Sequence, residues 1–188
     1  MRTKATVILV AVAAAALLVG SPLAQAQPAR VLTTGELRPL VLTTSQAKQA
    51  TGFVGTLTQR ETDGFRCGRQ KQTKAPYCSR IWESPLETAH PSIATVASYA
   101  TSQAARAQIL AQAGEAQRAG TIVERSGTLL VYYATNVPYV GTAAIAQQAI
   151  GANYAYAWCS SSALQPTGPA VTCAQDLLAA QVARLSNR

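Results

Sequence analysis

Histidine and carboxylate side chains, the usual acids and bases of enzymes, are scarce in this sequence. Its 188 residues hold a single histidine, His90, and eight Asp and Glu residues. A hydrolase needs a nucleophile, a base and a group that orients the base, and no Gly-x-Ser-x-Gly motif surrounds any serine. His90 lies in a predicted loop, and Glu83 and Glu87 are the nearest acids in sequence. A secreted hydrolase that uses His90 with one of these acids is therefore the alternative hypothesis, and a non-enzymatic protein is the main one.

Motifs for cofactors are missing as well. The sequence contains no Gly-x-Gly-x-x-Gly, no phosphate-binding loop and no EF-hand pattern. One histidine beside cysteines that are not spaced as C-x-x-C does not resemble a zinc site. We therefore expect no cofactor, no metal and no bound nucleotide.

The four cysteines indicate structural chemistry instead. They are Cys67, Cys78, Cys159 and Cys173. An even number of cysteines in an exported chain favours disulfides, and four cysteines allow three pairings. Pairing sequence neighbours closes two short loops. Each disulfide would then stabilise the folded protein by about 3 kcal/mol, because it lowers the entropy of the unfolded chain. We therefore prefer Cys67 with Cys78 and Cys159 with Cys173.

Basic side chains concentrate between residues 60 and 80. Six Lys and Arg residues fall in these 21 positions, against two acids and alongside Phe65 and Tyr77. Interleaved basic and aromatic residues are typical of surfaces that bind polyanions, and this many charges exceeds what solubility requires. We predict an irregular loop, closed by a disulfide, with the binding residues Arg66, Arg69, Lys71, Lys74, Tyr77 and Arg80. The alternative is an ordinary solvated loop.

A second candidate surface is aromatic and lies in the C-terminal half. Its members are Tyr132, Tyr133, Tyr139, Tyr154, Tyr156 and Trp158. Such residues suit a ligand groove because each joins a flat apolar body to a polar tip. They suit a core equally well, and with two Phe in the chain we expect most of them to serve as core residues.

The elements that position these residues can be predicted from caps, breakers and apolar periodicity. Helices are expected at 43–50, with Gly52 as a left-handed stop, and at 102–119, 143–152 and 174–185. Strands are expected at 53–59, 79–83 and 92–101, followed by a hairpin around Ser126-Gly127, while residues 153–158 fit either state. The central order of strand, helix and hairpin predicts an α+β domain with a single antiparallel sheet, packed helices and two disulfides.

The first 26 residues are typical of a secretory signal peptide. Arg2 and Lys4 precede an apolar run at 5–19, and Ala24-Gln25-Ala26 forms a small-x-small cleavage site. The run is shorter than the ~18–20 residues that span a bilayer, so we expect cleavage and no transmembrane anchor. Residues 27–36 would be a linker and residues 37–188 a single domain. Loss of the two basic residues would lower the formal net charge from +8 to +6.

Two segments carry a resemblance to a known family. The stretch VLTTGELRPLVLTTSQAKQATG at 31–52 resembles the opening of the extracellular sensor domains of mycobacterial-type membrane serine/threonine kinases and of their stand-alone exported relatives. Residues 92–120, an apolar strand followed by an Ala-rich helix, are similar to a second part of that family. The resemblance covers about a third of the chain. It implies a cleft for an envelope ligand and no catalytic residues.

These observations together predict an exported, non-enzymatic binding or sensor-like module of the cell envelope or extracellular space. It would present the 67–78 loop and an aromatic groove to an anionic envelope polymer or a protein partner. Besides the hydrolase, an accessory subunit of a larger envelope complex stays open as an alternative.

Overall fold

The computed structural model describes residues 30–85, 88–119, 121–137, 141–161 and 168–187. Its helices are α1 (Thr34–Leu37), α2 (Thr44–Thr51), α3 (Ser102–Arg118) and α4 (Gly168–Ser186), with a 3-10 turn at Arg38–Leu40. Its strands are β1 (Thr58–Gln59), β2 (Phe65–Arg69), β3 (Pro76–Glu83), β4 (His90–Ser98), β5 (Ile122–Ser126), β6 (Leu129–Val137), β7 (Gly141–Ile150) and β8 (Asn153–Ser161). The expected signal segment at 1–26 lies outside the described residues.

All strands join one antiparallel sheet. The order is β1-β3-β4-β8-β7-β6-β5, and β2 lies beside β1 along the same outer edge of β3. The chain runs from β4 through α3 into the β5–β6 hairpin, so the predicted centre of strand, helix and hairpin is present. The α+β fold with a single antiparallel sheet is confirmed.

Helices cover the two faces of the sheet unequally. On one face, which we call the α4 face, α4 packs on β7, β8 and β4, α2 packs on α4, and α1 contacts β3. On the opposite face, the α3 face, α3 contacts mainly β5, β6 and β7. Its buried residues Ala105, Ile109, Ala113 and Ala116 form one stripe along the helix. The α3 face is therefore covered by helix on one half and lacks a helix over β2, β3 and β4.

The predicted helix at 143–152 is wrong. The segment forms β7, which pairs with β6 on one side and β8 on the other. Ala144 and Ala146 pack into the core of the α4 face, whereas Ala143 and Ile145 pack into that of the α3 face. Burial on both faces and full strand pairing override the helix propensity of alanine, and the small side chains let helices approach from both sides.

The basic region also differs from its prediction as an irregular loop. Residues 65–80 form the β2–β3 hairpin, in which Cys67 is paired directly with Cys78. The predicted strand at 53–59 shrinks to β1, and His90 begins β4 rather than lying in a loop. At the turn before β2, a Cβ on Gly64 would lie 2.0 Å from the Arg60 carbonyl oxygen, so this position requires glycine. The hairpin gives the basic residues a fixed register.

Local signals at helix ends are confirmed. The Thr43 hydroxyl caps α2 by accepting a hydrogen bond from the Gln46 backbone N–H at 3.3 Å. Gly52 ends the helix in the left-handed conformation, with φ +65°. Both preferred disulfides are present, Cys67–Cys78 and Cys159–Cys173. The second disulfide ties the central strand β8 to α4.

Candidate functional site

The half of the α3 face that α3 leaves open forms a cleft. Its volume is about 410 Å³, within the range of about 300–1,000 Å³ typical of small-molecule sites. We call it the sheet cleft. It is lined by Arg66, Gln70, Tyr77, Ser79, Ile81, Ile93, Thr95, Gln108, Gln112, Tyr154, Tyr156 and Trp158.

Strand register arranges the floor of the sheet cleft in three rows. The middle row crosses β2, β3, β4 and β8 and consists of Arg66, Ser79, Thr95 and Tyr156. An apolar row of Ile81, Ile93 and Trp158 lies on one side of it, and Tyr77, Ala97 and Tyr154 lie on the other. Because side chains alternate between faces along a strand, every second residue of these strands reaches the same surface. The floor therefore has a polar centre between apolar and aromatic borders.

Three aromatic residues of β8 form one continuous surface. The ring centroids of Tyr154 and Tyr156 lie 6.3 Å apart, and those of Tyr156 and Trp158 lie 5.6 Å apart. Tyr156 and Trp158 are half-buried, so each is partly open to the cleft. Burial, with a smaller effect of neighbouring tyrosines, raises the pKa of Tyr154 and Tyr156 well above the ordinary value. Both hydroxyls therefore keep their protons at neutral pH.

Amide side chains form the wall above this floor. Gln108 and Gln112 project from consecutive turns of α3, and Gln70 projects from the end of the β2–β3 hairpin. The amide oxygen of Gln70 accepts from the Tyr99 hydroxyl at 2.9 Å, and that of Gln112 accepts from the Tyr132 hydroxyl at 3.1 Å. The Gln70 oxygen also accepts from the Thr73 hydroxyl at 2.6 Å. Because an amide oxygen has two lone pairs, Gln70 has its NH₂ donor left for a ligand, and Gln112 has its NH₂ donor and one lone pair.

The charge of the sheet cleft is positive. Arg66 is the single charged residue among the described residues that line it, and its side chain is exposed. Beside it, the Ser79 and Thr95 hydroxyl oxygens lie 2.8 Å apart and share a hydrogen bond. The indole Nε1 of Trp158 is buried and has no hydrogen-bond partner within the described part of the chain. The cleft thus offers one cation and several donors to a ligand.

The hairpin distributes the predicted binding residues over three places. Arg66 and Tyr77 lie on the cleft face. Lys71 and Lys74 are exposed in the hairpin turn, where the Lys74 amide donates to the Gln70 carbonyl at 3.0 Å. Arg69 is exposed at the end of β2 and donates to the Lys74 carbonyl at 3.1 Å. Five of the six residues therefore lie in the cleft or at the adjoining turn.

The sixth residue, Arg80, belongs to the opposite face. Its guanidinium carbon lies 4.8 Å from the ring centroid of Phe65, and that of Arg38 lies 5.2 Å from the same centroid. Arg80 also donates to the Gln59 amide oxygen at 3.0 Å, and partial burial lowers its pKa. These contacts make Arg80 part of the packing between the hairpin and the N-terminal segment.

The aromatic set is divided between core and cleft. Tyr132 is buried in the core of the α3 face, and Tyr154 is buried as well but also lines the cleft. Tyr156 and Trp158 line the cleft, whereas Tyr139 lies outside the described residues. Both predicted roles, core and groove, are therefore present on β8.

Of the residues of the alternative hydrolase, the structure describes His90 and Glu83, and each has a different partner. The Nδ1 atom of His90 lies 2.9 Å from the Thr88 carbonyl oxygen, and its ring contacts Phe53. The Glu83 carboxylate pairs instead with Arg60 at 2.8 Å. Glu87 lies outside the described residues. Of the two candidate acids, the one that the structure describes, Glu83, is therefore engaged by Arg60, and the His90 ring nitrogen faces a backbone carbonyl.

Two further observations concern metals and membranes. Within the described ranges, no three His, Cys, Asp or Glu side chains cluster closely enough to hold a metal ion. In the same ranges, no helix combines the length and apolar character needed to cross a bilayer.

A second groove lies between residues 51–55 and the start of α4. Its volume is about 730 Å³, and Asp176 is the charged residue among those described along it. We favour the sheet cleft as the functional site because it combines a cation, donors and an aromatic surface.

Sequence reasoning missed the glutamine wall and the polar floor. Ser79 lies two residues after Tyr77 on β3, and Thr95 lies two residues after Ile93 on β4. Residues two apart on a strand share a face, so this spacing could have placed the two hydroxyls on the cleft face. The wall residues Gln108 and Gln112 carried no such signal, because their position depends on where α3 crosses the sheet.

Comparison with known proteins gives one structural likeness. The chain is similar in structure to the extracellular domain of PknH from Mycobacterium tuberculosis, with a TM-score of 0.59 and 12% sequence identity. The match covers 82% of this chain and 98% of that one. No protein-family profile matches the sequence, and no curated protein matches it. At this identity the likeness shows the fold, and it agrees with the resemblance drawn from residues 31–52 and 92–120.

Proposed function

We propose that the protein is an exported, non-enzymatic module that binds an anionic ligand in the sheet cleft. The observation that carries this proposal is Arg66, the single charged residue among the described lining residues, set in a row with Ser79, Thr95 and Tyr156. A guanidinium beside hydroxyl donors favours carboxylate or phosphate groups.

The hairpin turn supports the same polarity. Arg69, Lys71 and Lys74 are exposed beside Gln70 and Tyr77, which line the cleft. Charges at the rim of a site raise the local concentration of an oppositely charged ligand and the rate at which it binds. We therefore propose that Arg66 and Tyr77 contact the ligand. The basic residues of the hairpin turn attract it, and Arg80 stabilises the hairpin.

Export is supported by independent features. Both cysteine pairs are oxidised, and disulfides persist mainly outside the reducing cytoplasm. The neighbour of similar fold is an extracellular domain. A place in the cell envelope or outside the cell follows as part of the proposal.

Tryptophan fluorescence can test binding. Trp82 is buried on the α4 face and donates to Thr44, so a Trp82→Phe background leaves Trp158 as the reporter inside the cleft. Four anionic probes serve as ligands, namely inorganic polyphosphate, oligoglutamate, hyaluronan oligosaccharides and vesicles of anionic phospholipid. At least one should change Trp158 emission, and its affinity should fall steeply with added salt.

Variants distinguish binding in the cleft from a general effect of positive charge on the surface. Arg66→Gln should weaken binding about tenfold or more, and charge reversal at Arg69, Lys71 and Lys74 should weaken it mainly at low salt. Arg125→Gln is the matched control, because Arg125 is exposed on β5 at the far edge of the sheet. Failure of all four probes to bind, or binding that ignores Arg66→Gln, would refute the proposed function.

A further inference from the structure

The aromatic surface of β8 is shaped for a ring with an apolar side. Tyr156 and Trp158 are half-buried neighbours with an angle of 58° between their planes. Aromatic rings carry negative charge on their faces. The C–H side of a sugar ring is weakly positive and flat, so it can lie against such a face. An aromatic surface of this kind therefore fits a saccharide.

Donors surround this aromatic surface. The amides of Gln70, Gln108 and Gln112 line one side, and the Ser79 and Thr95 hydroxyls lie on the floor. A sugar carries hydroxyl groups around its rim, and these can accept from amides and bond with hydroxyls. The cleft therefore has its polar groups where a sugar stacked on β8 would place its own.

Among the described residues that line the cleft, one has a buried side-chain donor without a partner. The Trp158 Nε1 atom is buried without a hydrogen-bond partner in the described part of the chain, although buried N–H groups are normally satisfied. The indole N–H points out from the edge of its ring, so an acceptor for it would lie beside Trp158 and not above the ring face.

We infer that the ligand of the sheet cleft is an acidic saccharide, a sugar unit that carries a carboxylate. The inference rests on the proposed function and specifies its ligand class. Arg66 pairs with the carboxylate, β8 stacks against the sugar ring, and the glutamine wall bonds to the hydroxyls. A lipid chain could cover the same rings but would offer no acceptor to the side-chain NH₂ groups of the glutamine wall, and covering such donors without a partner is costly.

Three probes separate the two halves of the inference. Hyaluronan oligosaccharides carry both sugar rings and carboxylates, fully N-acetylated chito-oligosaccharides carry similar rings without charge, and oligoglutamate carries carboxylates without sugar. Each is titrated into the Trp82→Phe protein while Trp158 emission and the heat of binding are recorded. The hyaluronan probe should bind at least tenfold more tightly than either of the others.

Two variants assign the contacts. Arg66→Gln should lower affinity for the hyaluronan probe about tenfold and leave the weak binding of the uncharged probe unchanged. Tyr156→Leu removes both the flat ring and the hydroxyl and keeps an apolar side chain. It should weaken both sugars about fivefold or more and weaken oligoglutamate, which loses the hydroxyl donor alone, by less. Arg125→Gln and an unchanged thermal transition serve as controls for general charge and folding.

Each other outcome overturns the inference. Equal binding of oligoglutamate and hyaluronan, weakened strongly by Arg66→Gln and to the same small extent by Tyr156→Leu, would mean a general anion site and would keep the proposed function. If both sugars bound equally and Arg66→Gln changed neither affinity, the cleft would not require a carboxylate on its ligand. Binding of polyphosphate or vesicles in the absence of any sugar signal would likewise leave the proposed function in place and refute the saccharide.

Discussion

Cys67 and Cys78 lie directly opposite each other in the β2–β3 hairpin, with Cα atoms 4.1 Å apart and a disulfide between them. Adjacent residues of a strand point to opposite faces. The bond therefore lies on the α4 face, while Arg66 and Tyr77 point into the sheet cleft. In this way the disulfide fixes the register that sets Arg66 opposite Ser79.

Removing this bond should affect both stability and binding. The double substitution Cys67→Ser and Cys78→Ser should lower the free energy of unfolding by about 3 kcal/mol, because the unfolded chain gains loop entropy. Urea unfolding measures this loss. The matched control is Cys159→Ser with Cys173→Ser, which opens a loop of similar length between β8 and α4. Affinity at the cleft should fall further in the first variant than in the control, and equal affinities would contradict the assigned role.

Alkaline pH should destabilise the protein through Tyr132. Burial, with a smaller effect of the Glu115 carboxylate, raises the pKa of Tyr132 to about 12, whereas an unfolded tyrosine titrates near 10. Between these two values the unfolded state releases the proton and the native state retains it. The stabilisation that Tyr132 contributes should therefore be fully present below about pH 10 and be lost as pH rises toward about 12. The free energy of unfolding should fall by at most about 3 kcal/mol from this residue.

Denaturant unfolding at several alkaline pH values measures this slope. Tyr132→Phe loses the hydrogen bond to Gln112 and should show a shallower fall in stability above about pH 10. Tyr133→Phe is the comparison, since Tyr133 is the neighbouring tyrosine on β6. An identical slope in Tyr132→Phe and the unsubstituted protein would contradict the prediction.

Gln181 should be indispensable to the packing of α4, although it is polar. It is fully buried; its amide nitrogen donates to the Leu40 carbonyl at 2.6 Å, and its amide oxygen accepts from the Leu42 amide at 3.2 Å. The Leu40 carbonyl also accepts from Arg184 Nε at 3.2 Å. Gln181→Leu therefore deprives chiefly the Leu42 backbone amide of its partner and should cost about 1–3 kcal/mol in the free energy of unfolding. Gln175→Leu, at a half-buried position of the same helix, should cost less. Equal losses in urea unfolding would refute this.

Lys74 allows the charge of the hairpin turn to be separated from its geometry. Its φ of 58° is in the left-handed region, which glycine adopts without the clash that a Cβ causes. Lys74→Gly should be more stable than Lys74→Ala by about 1 kcal/mol, while both remove the same charge. The two variants should therefore bind anionic probes with equal affinity at low salt. A difference in affinity that follows stability would contradict this prediction and show that turn geometry contributes to binding.

Helix ends and tight turns could be predicted from the sequence. Helix α2 was predicted because Thr43 and Gly52 define its ends, and the β5–β6 hairpin because Ser126-Gly127 marks its turn. The helix predicted over β7 failed because burial on both faces of a sheet is not visible in ten neighbouring residues. Tertiary packing there outweighs the propensity of alanine.

The candidate site was predictable to a similar extent. Arg66 and Tyr77 were identified from composition, and Tyr154, Tyr156 and Trp158 from their clustering. Their meeting in one cleft depends on β8 lying beside β4 and on the side of the sheet that α3 covers. These are long-range relationships that spacing along the chain does not encode.

The most direct test of the binding site is a map of backbone amide chemical shifts. Isotope-labelled protein is titrated with the anionic probe that binds best, and the shifted amides are placed on the fold. The account predicts that the largest shifts follow the middle row of the cleft floor, at Arg66, Ser79, Thr95 and Tyr156. Shifts confined to the α4 face, or to the hairpin turn alone, would contradict a binding site in the sheet cleft.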